Sequence, residues 1–308
     1  MRILYLFLLI LFTLNVSANG QDDFMVAFSV TGKIKYTKSK ADKPKRMRSG
    51  EVLFADATIT LKKKAKVSLY FDGEYQVLEA PGTYSIADVM KTVEGKIEDR
   101  FAEMVVDDFL MASTGGKGTG DGKSGIGYGN AKFPVVPIQP FNAGNTIGKV
   151  SDAEITFRWA NKKSVDPSAN TFKFTLLEKG GTAIHQAEVK GFNLTLSAST
   201  LGLKPGSVYI WQVEATSDEK VKSPEVQFEY SDASVPRTLL QALGKENLYQ
   251  TSSAATQLFL EAGSLEEQGY YYAAHQRLEM AIKKYKKDGL LKKAYDSYLQ
   301  RHDLMPEN

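Results

Sequence analysis

Cysteine is absent from the 308-residue chain, and its absence excludes two kinds of covalent attachment. No disulfide can staple the fold, so each domain has to bury a core that is large enough to be stable without one. The residue that carries the lipid of a bacterial lipoprotein is also missing. We therefore expect domains stabilised by their cores alone, in a chain without a lipid anchor.

Histidine is nearly as scarce, and the three residues present, His185, His275 and His302, stand far apart. None belongs to an HExxH motif, and without cysteine a zinc site would need a carboxylate cluster that the sequence does not show. His275 and Glu279 share a helix face at four-residue spacing, which allows a ligand pair but is more typical of a surface pair. No Gly-x-Ser-x-Gly motif occurs either. We predict no catalytic residue, no metal site and no cofactor.

Only one long apolar run occurs, from Ile3 to Val16. It is shorter than the ~20 residues that a membrane helix needs, and the small residues that follow it, ending in Ala18, are typical of a signal peptidase site. We predict a signal peptide over 1–18 and export to the periplasm or another extracytoplasmic space. No later segment is apolar enough to span a bilayer, so we expect no integral membrane span in the mature chain.

Short apolar runs separated by turn residues fill the segment from Met25 to Ile86, and this pattern predicts a meandering antiparallel sheet. The recurring residues are Val30-x-Gly32-x-Ile34, Ser49-Gly50-x-Val52-Leu53, Ala65-x-Val67-x-Leu69-x-Phe71-Asp72-Gly73 and Leu78-x-Ala80-Pro81-Gly82-x-Tyr84. They resemble the FecR-type domain of bacterial envelope proteins. The resemblance implies an all-β extracytoplasmic binding module and, in regulatory members of that family, a part in envelope signalling.

An apolar stripe at three- and four-residue spacing follows over 87–112, which predicts a helix packed on the sheet. We therefore place a FecR-like β domain with a trailing helix at 24–112. Glycine dominates the next stretch, 113–133.

That stretch contains Gly122-Lys123-Ser124, which is how a Walker phosphate loop ends. Residue 117, where the loop needs its first glycine, is lysine. We therefore predict a flexible linker at 113–133 rather than a nucleotide site.

Basic residues outnumber acids in the first domain, with twelve Lys or Arg against six Asp or Glu from Phe24 to Ser85. Such a surface attracts anionic polymers, lipid headgroups or acidic proteins through a Coulomb attraction that salt screens. Nucleic acid is not expected, because export removes it as a partner and the lysines lack interleaved aromatic platforms. A solvated strand face is the alternative interpretation. The candidate residues for an anionic partner are Lys33, Lys35, Lys43, Lys45, Arg46, Arg48, Lys62, Lys63 and Lys64.

From Pro134 the chain again consists of short strands at regular spacing, which predicts a two-sheet sandwich at 134–232. Leu203-x-Pro205-Gly206-Ser207-x-Tyr209-x-Trp211-x-Val213-x-Ala215 resembles the turn and penultimate strand of a fibronectin type III domain. Trp159 falls where that family has an early core tryptophan. The resemblance implies that the Tyr209 hydroxyl ties the corner to upstream backbone, and that Trp159 and Trp211 are core residues rather than sugar platforms.

Helical periodicity begins at Pro236. Gly269-x-Tyr271-x-x-Ala274-x-x-x-Leu278-x-x-Ala281 resembles the second helix of a tetratricopeptide repeat, in which small residues let two helices pack closely. Lys286 stands where the repeat usually ends in proline, and Glu261 replaces a large apolar residue. The resemblance implies a small helical docking module over 236–308.

Three consecutive tyrosines lie in this helical module. In the register of the repeat, Tyr271 is a core residue. Its neighbours Tyr270 and Tyr272 are then free, and we predict that they form a docking face for a partner.

The sequence thus predicts a multidomain protein with two all-β modules followed by a small α-helical module. Three modules of binding type, without a catalytic constellation, favour a non-catalytic adaptor or scaffold that binds cell-envelope proteins. A module that binds peptidoglycan or another anionic glycan is one alternative, and a FecR-type envelope signalling component is another. No motif identifies the envelope partner.

Overall fold

The computed structural model of the chain describes residues 24–39, 42–71, 74–93, 95–96, 133–143, 146–161, 170–302 and 304. The predicted signal peptide at 1–18 lies outside the described residues. So do residues 97–112 of the predicted trailing helix and residues 113–132 of the predicted linker. The described residues form two β domains and one helical module.

The first β domain has two antiparallel sheets around one core, with strand orders β4-β1-β6-β7-β9 and β3-β2-β5-β8. Its strands are β1 (Phe24–Thr31), β2 (Ile34–Thr37), β3 (Lys45–Arg46), β4 (Val52–Phe54), β5 (Thr58–Leu61), β6 (Lys66–Phe71), β7 (Glu74–Leu78), β8 (Gly82–Ser85) and β9 (Gly95–Lys96). The core includes Ile34, Ile59 and Val67, each at most 1% exposed.

Strand β1 is buried on both faces because each face meets a different layer. Met25 and Ala27 point into the core of the domain, whereas Val26 and Phe28 pack on helices from the C-terminal part of the chain. Strand β6 is arranged in the same way, with Tyr70 on the helical side. A continuous apolar run is typical of a strand that is covered on both faces. Strands β1 and β6 have this pattern because they lie between the core of the first domain and the helices.

In the part of it that the structure describes, the helix predicted after this sheet is interrupted by a strand. Helix α1 spans only Ile86–Met90, and the chain then forms strand β9, in which Gly95 pairs with Tyr75 of β7. The prediction of a helix from 87 is therefore confirmed for residues 87–90 and wrong for residues 91–93, 95 and 96. Thr92, Val93 and Gly95 are poor helix formers, and the edge of β7 offers backbone partners that compete with the helix.

The second β domain is a sandwich of two sheets, with strand orders β10-β12-β15 and β11-β18-β16-β13-β14, and β17 beside β16. Its strands are β10 (Val135–Gln139), β11 (Gly148–Val150), β12 (Glu154–Asn161), β13 (Thr171–Glu178), β14 (Ala183–Lys190), β15 (Asn193–Ser197), β16 (Val208–Ala215), β17 (Asp218–Lys222) and β18 (Val226–Tyr230). Buried and less buried residues alternate along β12, β13 and β16. The two inner faces therefore supply the core.

The sandwich contains the corner that the sequence predicts. The backbone N–H of Lys204 donates a hydrogen bond to the hydroxyl of Tyr209, 2.8 Å away, as in a tyrosine corner. Trp159 and Trp211 are 1% and 0% exposed, which confirms them as core residues. The indole N–H of Trp211 donates to the carbonyl oxygen of Pro140 at 3.1 Å, so its polar atom is satisfied.

Five helices form the C-terminal module: α2 (Ser234–Leu243), α3 (Asn247–Thr251), α4 (Ala254–Glu267), α5 (Tyr271–Lys284) and α6 (Gly289–Arg301). The Ser253 hydroxyl caps α4 by accepting from the N–H of Thr256 at 3.2 Å. None of the helices in the described ranges combines the length and apolar character that a bilayer crossing requires.

The helical module lies between the two β domains and contacts both. Towards the first domain, the rings of Phe28 and Phe259 lie 6.2 Å apart, and the N–H of Ser253 donates to the Ser29 hydroxyl at 2.7 Å. Towards the sandwich, the N–H of Lys149 donates to the carbonyl of Gly269 at 2.8 Å. The three modules are therefore joined through the helices.

Candidate anion-binding groove

The nine predicted basic residues occupy three places on the first β domain, and all are exposed. Lys35 on β2 stands opposite Arg46 on β3. Lys33 lies in the turn between β1 and β2, and Lys62–Lys64 form the turn between β5 and β6. Of the nine, Arg46 and Arg48 line a groove.

This groove, called the basic groove below, has a volume of about 600 Å³. One wall belongs to the first β domain and the other to the turn between α5 and α6. The lining residues are Val30, Gly32, Arg46, Met47, Arg48, Ser49, Lys283, Lys284, Tyr285, Lys286, Lys287 and Asp288.

Cations dominate the basic groove. Six of its side chains are Lys or Arg and one is acidic, and all six cations are exposed. Within the described ranges, none of the six forms an ion pair. The acidic side chain, Asp288, accepts a hydrogen bond from the N–H of Leu291 at 3.2 Å, at the start of α6. The groove therefore has a strongly positive potential, which favours an anion.

The sequence analysis did not include the lysines of the second wall among the candidate residues, although they form a visible cluster in the chain. Four of the five residues from Lys283 to Lys287 are lysine. Lys283 and Lys284 lie in the last turn of α5, where a cation interacts favourably with the helix carbonyls. This interaction with the helix is enough to explain the lysines, and no ligand is needed. The lysines lie opposite Arg46 and Arg48 because two modules dock on each other, and no local sequence pattern predicts that docking.

The predicted docking face at Tyr270 and Tyr272 is wrong, because both side chains are buried at 2% and 1% exposure. The Tyr270 hydroxyl lies 2.8 Å from that of Ser231. The Tyr272 ring enters the core of the sandwich, and its hydroxyl accepts from the N–H of Thr156 at 2.8 Å. These tyrosines do dock, but on the sandwich of their own chain. Tyr271 is buried as predicted.

The pair of His275 and Glu279 is also not the surface pair that we predicted, because His275 is 1% exposed. Burial lowers the pKa of His275 from 6.5 to about 4, and the charge of Glu279 only partly opposes this. Glu279 lies 3.6 Å from the imidazole, but it pairs more closely with Arg158 of the sandwich, at 2.8 Å. His275 is therefore a neutral residue of the interface at neutral pH.

A second polar cluster surrounds Glu266 at the end of α4. Arg301 donates to it at 2.9 Å, and Nε2 of His302 lies 2.8 Å from its carboxylate. Burial alone would raise the pKa of Glu266, but the hydrogen bond with His302 and the charge of Arg301 lower it. In the part of the chain that the structure describes, no three His, Asp or Glu side chains are grouped to hold a metal ion. The cluster fastens α6 to α4.

A second cleft, of about 530 Å³, lies between α2, α5 and the turn that joins β11 to β12. Asp152 and Arg277 both line it. Burial raises the pKa of Asp152 and the charge of Arg277 opposes that effect, while Arg277 also pairs with Glu261 at 3.1 Å. This cleft therefore contains both acidic and basic side chains, whereas the basic groove contains mostly basic ones. The charges of the cleft do not favour either an anionic or a cationic ligand.

No protein-family model matches the chain, and no curated protein matches it. A solved structure of the FN1-FN3 domains of chicken CNTN1 is similar at 10% sequence identity, with a TM-score of 0.22. The match covers 68% of this chain and 57% of that one, so the chain spans just over half of the length of that structure.

Proposed function

We propose that the chain is a non-catalytic extracytoplasmic adaptor that is held on an anionic component of the cell envelope by the basic groove. The observation that carries this proposal is the convergence of six cations from two modules on one groove with a single acid. Like charges repel each other, so this arrangement costs stability in the free protein. Binding of an anionic partner removes that repulsion.

The adaptor role rests on the kinds of module that the chain resembles. The FecR resemblance is supported by Gly32, which has φ 84° in the turn between β1 and β2; a Cβ there would lie 3.0 Å from Cα of Ala65, so the turn requires glycine. The tetratricopeptide resemblance is supported by Ala262 and Ala274, which are buried at 2% and 0% exposure in the paired helices α4 and α5. Both families are binding modules.

Two further parts of the proposal rest on sequence. The extracytoplasmic location rests on the predicted signal peptide at 1–18. The non-catalytic role rests on the lack of a nucleophile, acid–base or metal motif in the chain. Contacts with the envelope are the means of attachment that the proposal assigns, and the chain has no cysteine to carry a lipid.

Cosedimentation with purified bacterial cell walls tests the proposal. The groove variant R46Q/R48Q/K286Q/K287Q removes four cations from both walls. We expect the wild-type chain to sediment with the walls at low salt and to be released at high salt, since salt screens exposed charges. The groove variant should bind about tenfold more weakly, which corresponds to about 1.4 kcal/mol.

A matched control removes the same charge elsewhere. The variant K190Q/K204Q/K220Q/K222Q changes four exposed lysines of the sandwich, and it should sediment like the wild type. The proposal fails if the wild-type chain does not sediment at either salt concentration. It also fails if the groove variant and the sandwich variant bind equally well.

A further inference from the structure

The basic groove is a seam between two modules rather than a pocket within one. Arg46 and Arg48 belong to the first β domain, and Lys283–Lys287 lies at the end of α5 and beyond it. The contacts that dock these modules lie elsewhere, for example at the ring contact of Phe28 and Phe259. Any ligand that fills the groove therefore contacts both modules at once.

The two walls repel each other in the free protein. The cube root of the groove volume of about 600 Å³ is smaller than the Debye length, which is ~10 Å at 0.1 M salt, so salt only partly screens the charges across the groove. The cations on both sides are exposed and have no ion-pair partner among the described residues. Charge repulsion across the seam thus opposes the apolar contacts that dock the first domain on the helices.

We propose that the groove binds one stretch of a linear polyanion, a polymer with repeated phosphate or carboxylate groups, and that this stretch locks the first β domain onto the helical module. The inference rests on the proposed function for the assignment of the groove as the binding surface. It adds the chemistry of the ligand and the consequence of binding.

The number and arrangement of the charges favour a polymer. Six cations and one acid cannot be neutralised by a single small anion, whereas a chain of anions contacts both walls and gains from multivalency. A flexible chain can enter a groove of this volume, whereas a flat or convex face of a folded acidic protein would contact mainly its rim. A linear polyanion satisfies both the charge and the shape.

Locking follows from linkage. A ligand that needs both walls binds only the docked arrangement of the modules, and it therefore shifts the population towards that arrangement. Backbone amides at the docking contact should then open less often. The relevant segments are β1 (Phe24–Thr31) and residues 253–260, which meet at the hydrogen bond between Ser29 and Ser253.

The test compares tripolyphosphate with orthophosphate at matched ionic strength, using the full chain. Calorimetry measures the two affinities, and hydrogen–deuterium exchange follows the two docking segments. We expect tripolyphosphate to bind at least about tenfold more tightly and to slow exchange in both segments. The half-groove variants R46Q/R48Q and K286Q/K287Q should each lose most of this advantage, and K190Q/K204Q should keep it.

Three outcomes overturn the inference. The first is equal affinity for the two phosphates. The second is a half-groove variant that binds tripolyphosphate like the wild type while its circular dichroism shows a normal fold. The third is a poly-glutamate peptide that binds more tightly than both tripolyphosphate and a polyuronate of similar charge, which would favour an acidic protein segment as the ligand.

The two proposals fail separately. If tripolyphosphate binds and slows exchange but purified cell walls do not bind, the envelope function is wrong and the locking inference stands. If cell walls bind through the groove but exchange at the docking contact does not change, the function stands and the inference is wrong.

Discussion

Arg158 of strand β12 donates a hydrogen bond to Glu279 of helix α5 at 2.8 Å, although 121 residues separate them in the chain. The same carboxylate lies 3.6 Å from Nε2 of the buried His275. One acid thus joins the sandwich, the helical module and a neutral imidazole. The sequence pairs Glu279 with His275 by helical spacing, but the tertiary structure gives it a closer partner.

The Arg158 pair should contribute little to stability, because both side chains are 36% exposed and exposed pairs are worth about 0.2–1 kcal/mol. R158Q should lower the free energy of unfolding in urea by no more than about 1 kcal/mol. The double variant R158E/E279R should be more stable than R158E alone. A loss above ~3 kcal/mol for R158Q would mean that the pair behaves as a fully buried one.

Acid should weaken the fold through His275, whose pKa is lowered from 6.5 to about 4. Between these values the unfolded chain binds a proton that the folded chain does not, so the free energy of unfolding falls as the pH drops from 6.5 through about 4. The loss approaches about 3 kcal/mol, since each tenfold change in proton affinity is about 1.4 kcal/mol. Urea unfolding at several pH values measures it.

The variant H275Q separates this effect from that of Glu266. Its stability should depend much less on pH between 6.5 and 4. The lowered pKa of Glu266 contributes stability that is present above the pKa of the unfolded acid, about 4.3, and is lost below it. An unchanged slope between pH 6.5 and 4.5 in H275Q would show that another group titrates there.

Removal of the Tyr272 hydroxyl should destabilise the junction of the helices and the sandwich. This hydroxyl accepts from the N–H of Thr156, and Y272F leaves that donor without its partner at a cost of about 1–3 kcal/mol. Y285F is the matched control, because no hydrogen bond of the Tyr285 hydroxyl occurs among the described residues. Equal unfolding midpoints for the two variants would contradict the role of Tyr272.

Alanine at Gly32 should cost more than alanine at Gly206. The two glycines have nearly the same φ, 84° and 82°, so each substitution has a similar backbone penalty of about 1–2 kcal/mol. Only at Gly32 does the new Cβ approach backbone, at 3.0 Å from Cα of Ala65, whereas nothing lies within 4 Å at Gly206. The excess for G32A, measured by urea unfolding, should be about 1 kcal/mol or more.

The free protein should gain stability when the basic groove loses its charge. At low salt and without ligand, R46Q/R48Q/K286Q/K287Q should unfold at a higher temperature than the wild type, because repulsion across the seam is removed. The difference should shrink at high salt. A variant that is less stable than the wild type at low salt would indicate that these cations have favourable partners.

The sequence predicted those elements of the fold that are determined by residues close together in the chain. The strands of the sandwich and the Tyr209 corner follow from alternation and turn residues, which act over a few positions. The burial of Tyr270 and Tyr272 could not be predicted in this way. Helical spacing shows which residues share a face of α5. It does not show that the sandwich covers the face that does not pack on α4.

The sequence predicted the residues of only one side of the basic groove, because the other side is brought there by tertiary contacts. Arg46 and Arg48 were among the candidates because the charge balance of the first domain is visible in the sequence. Lys286 was noted only as a departure from the repeat pattern. Its position opposite Arg48 arises because apolar residues of β1, such as Phe28, dock on α4, and this contact joins residues that are far apart in the chain.

The most direct test of the groove as the binding surface is the affinity of R46Q/R48Q and K286Q/K287Q for purified cell walls at low salt, measured side by side. Each variant removes two cations, from opposite walls and from different modules. If the two sides of the basic groove bind the same ligand, both variants lose affinity for cell walls by a similar factor. The sandwich variant K190Q/K204Q then keeps the affinity of the wild type. A loss in only one of the two, or an equal loss in all three, would contradict a single site formed across the seam.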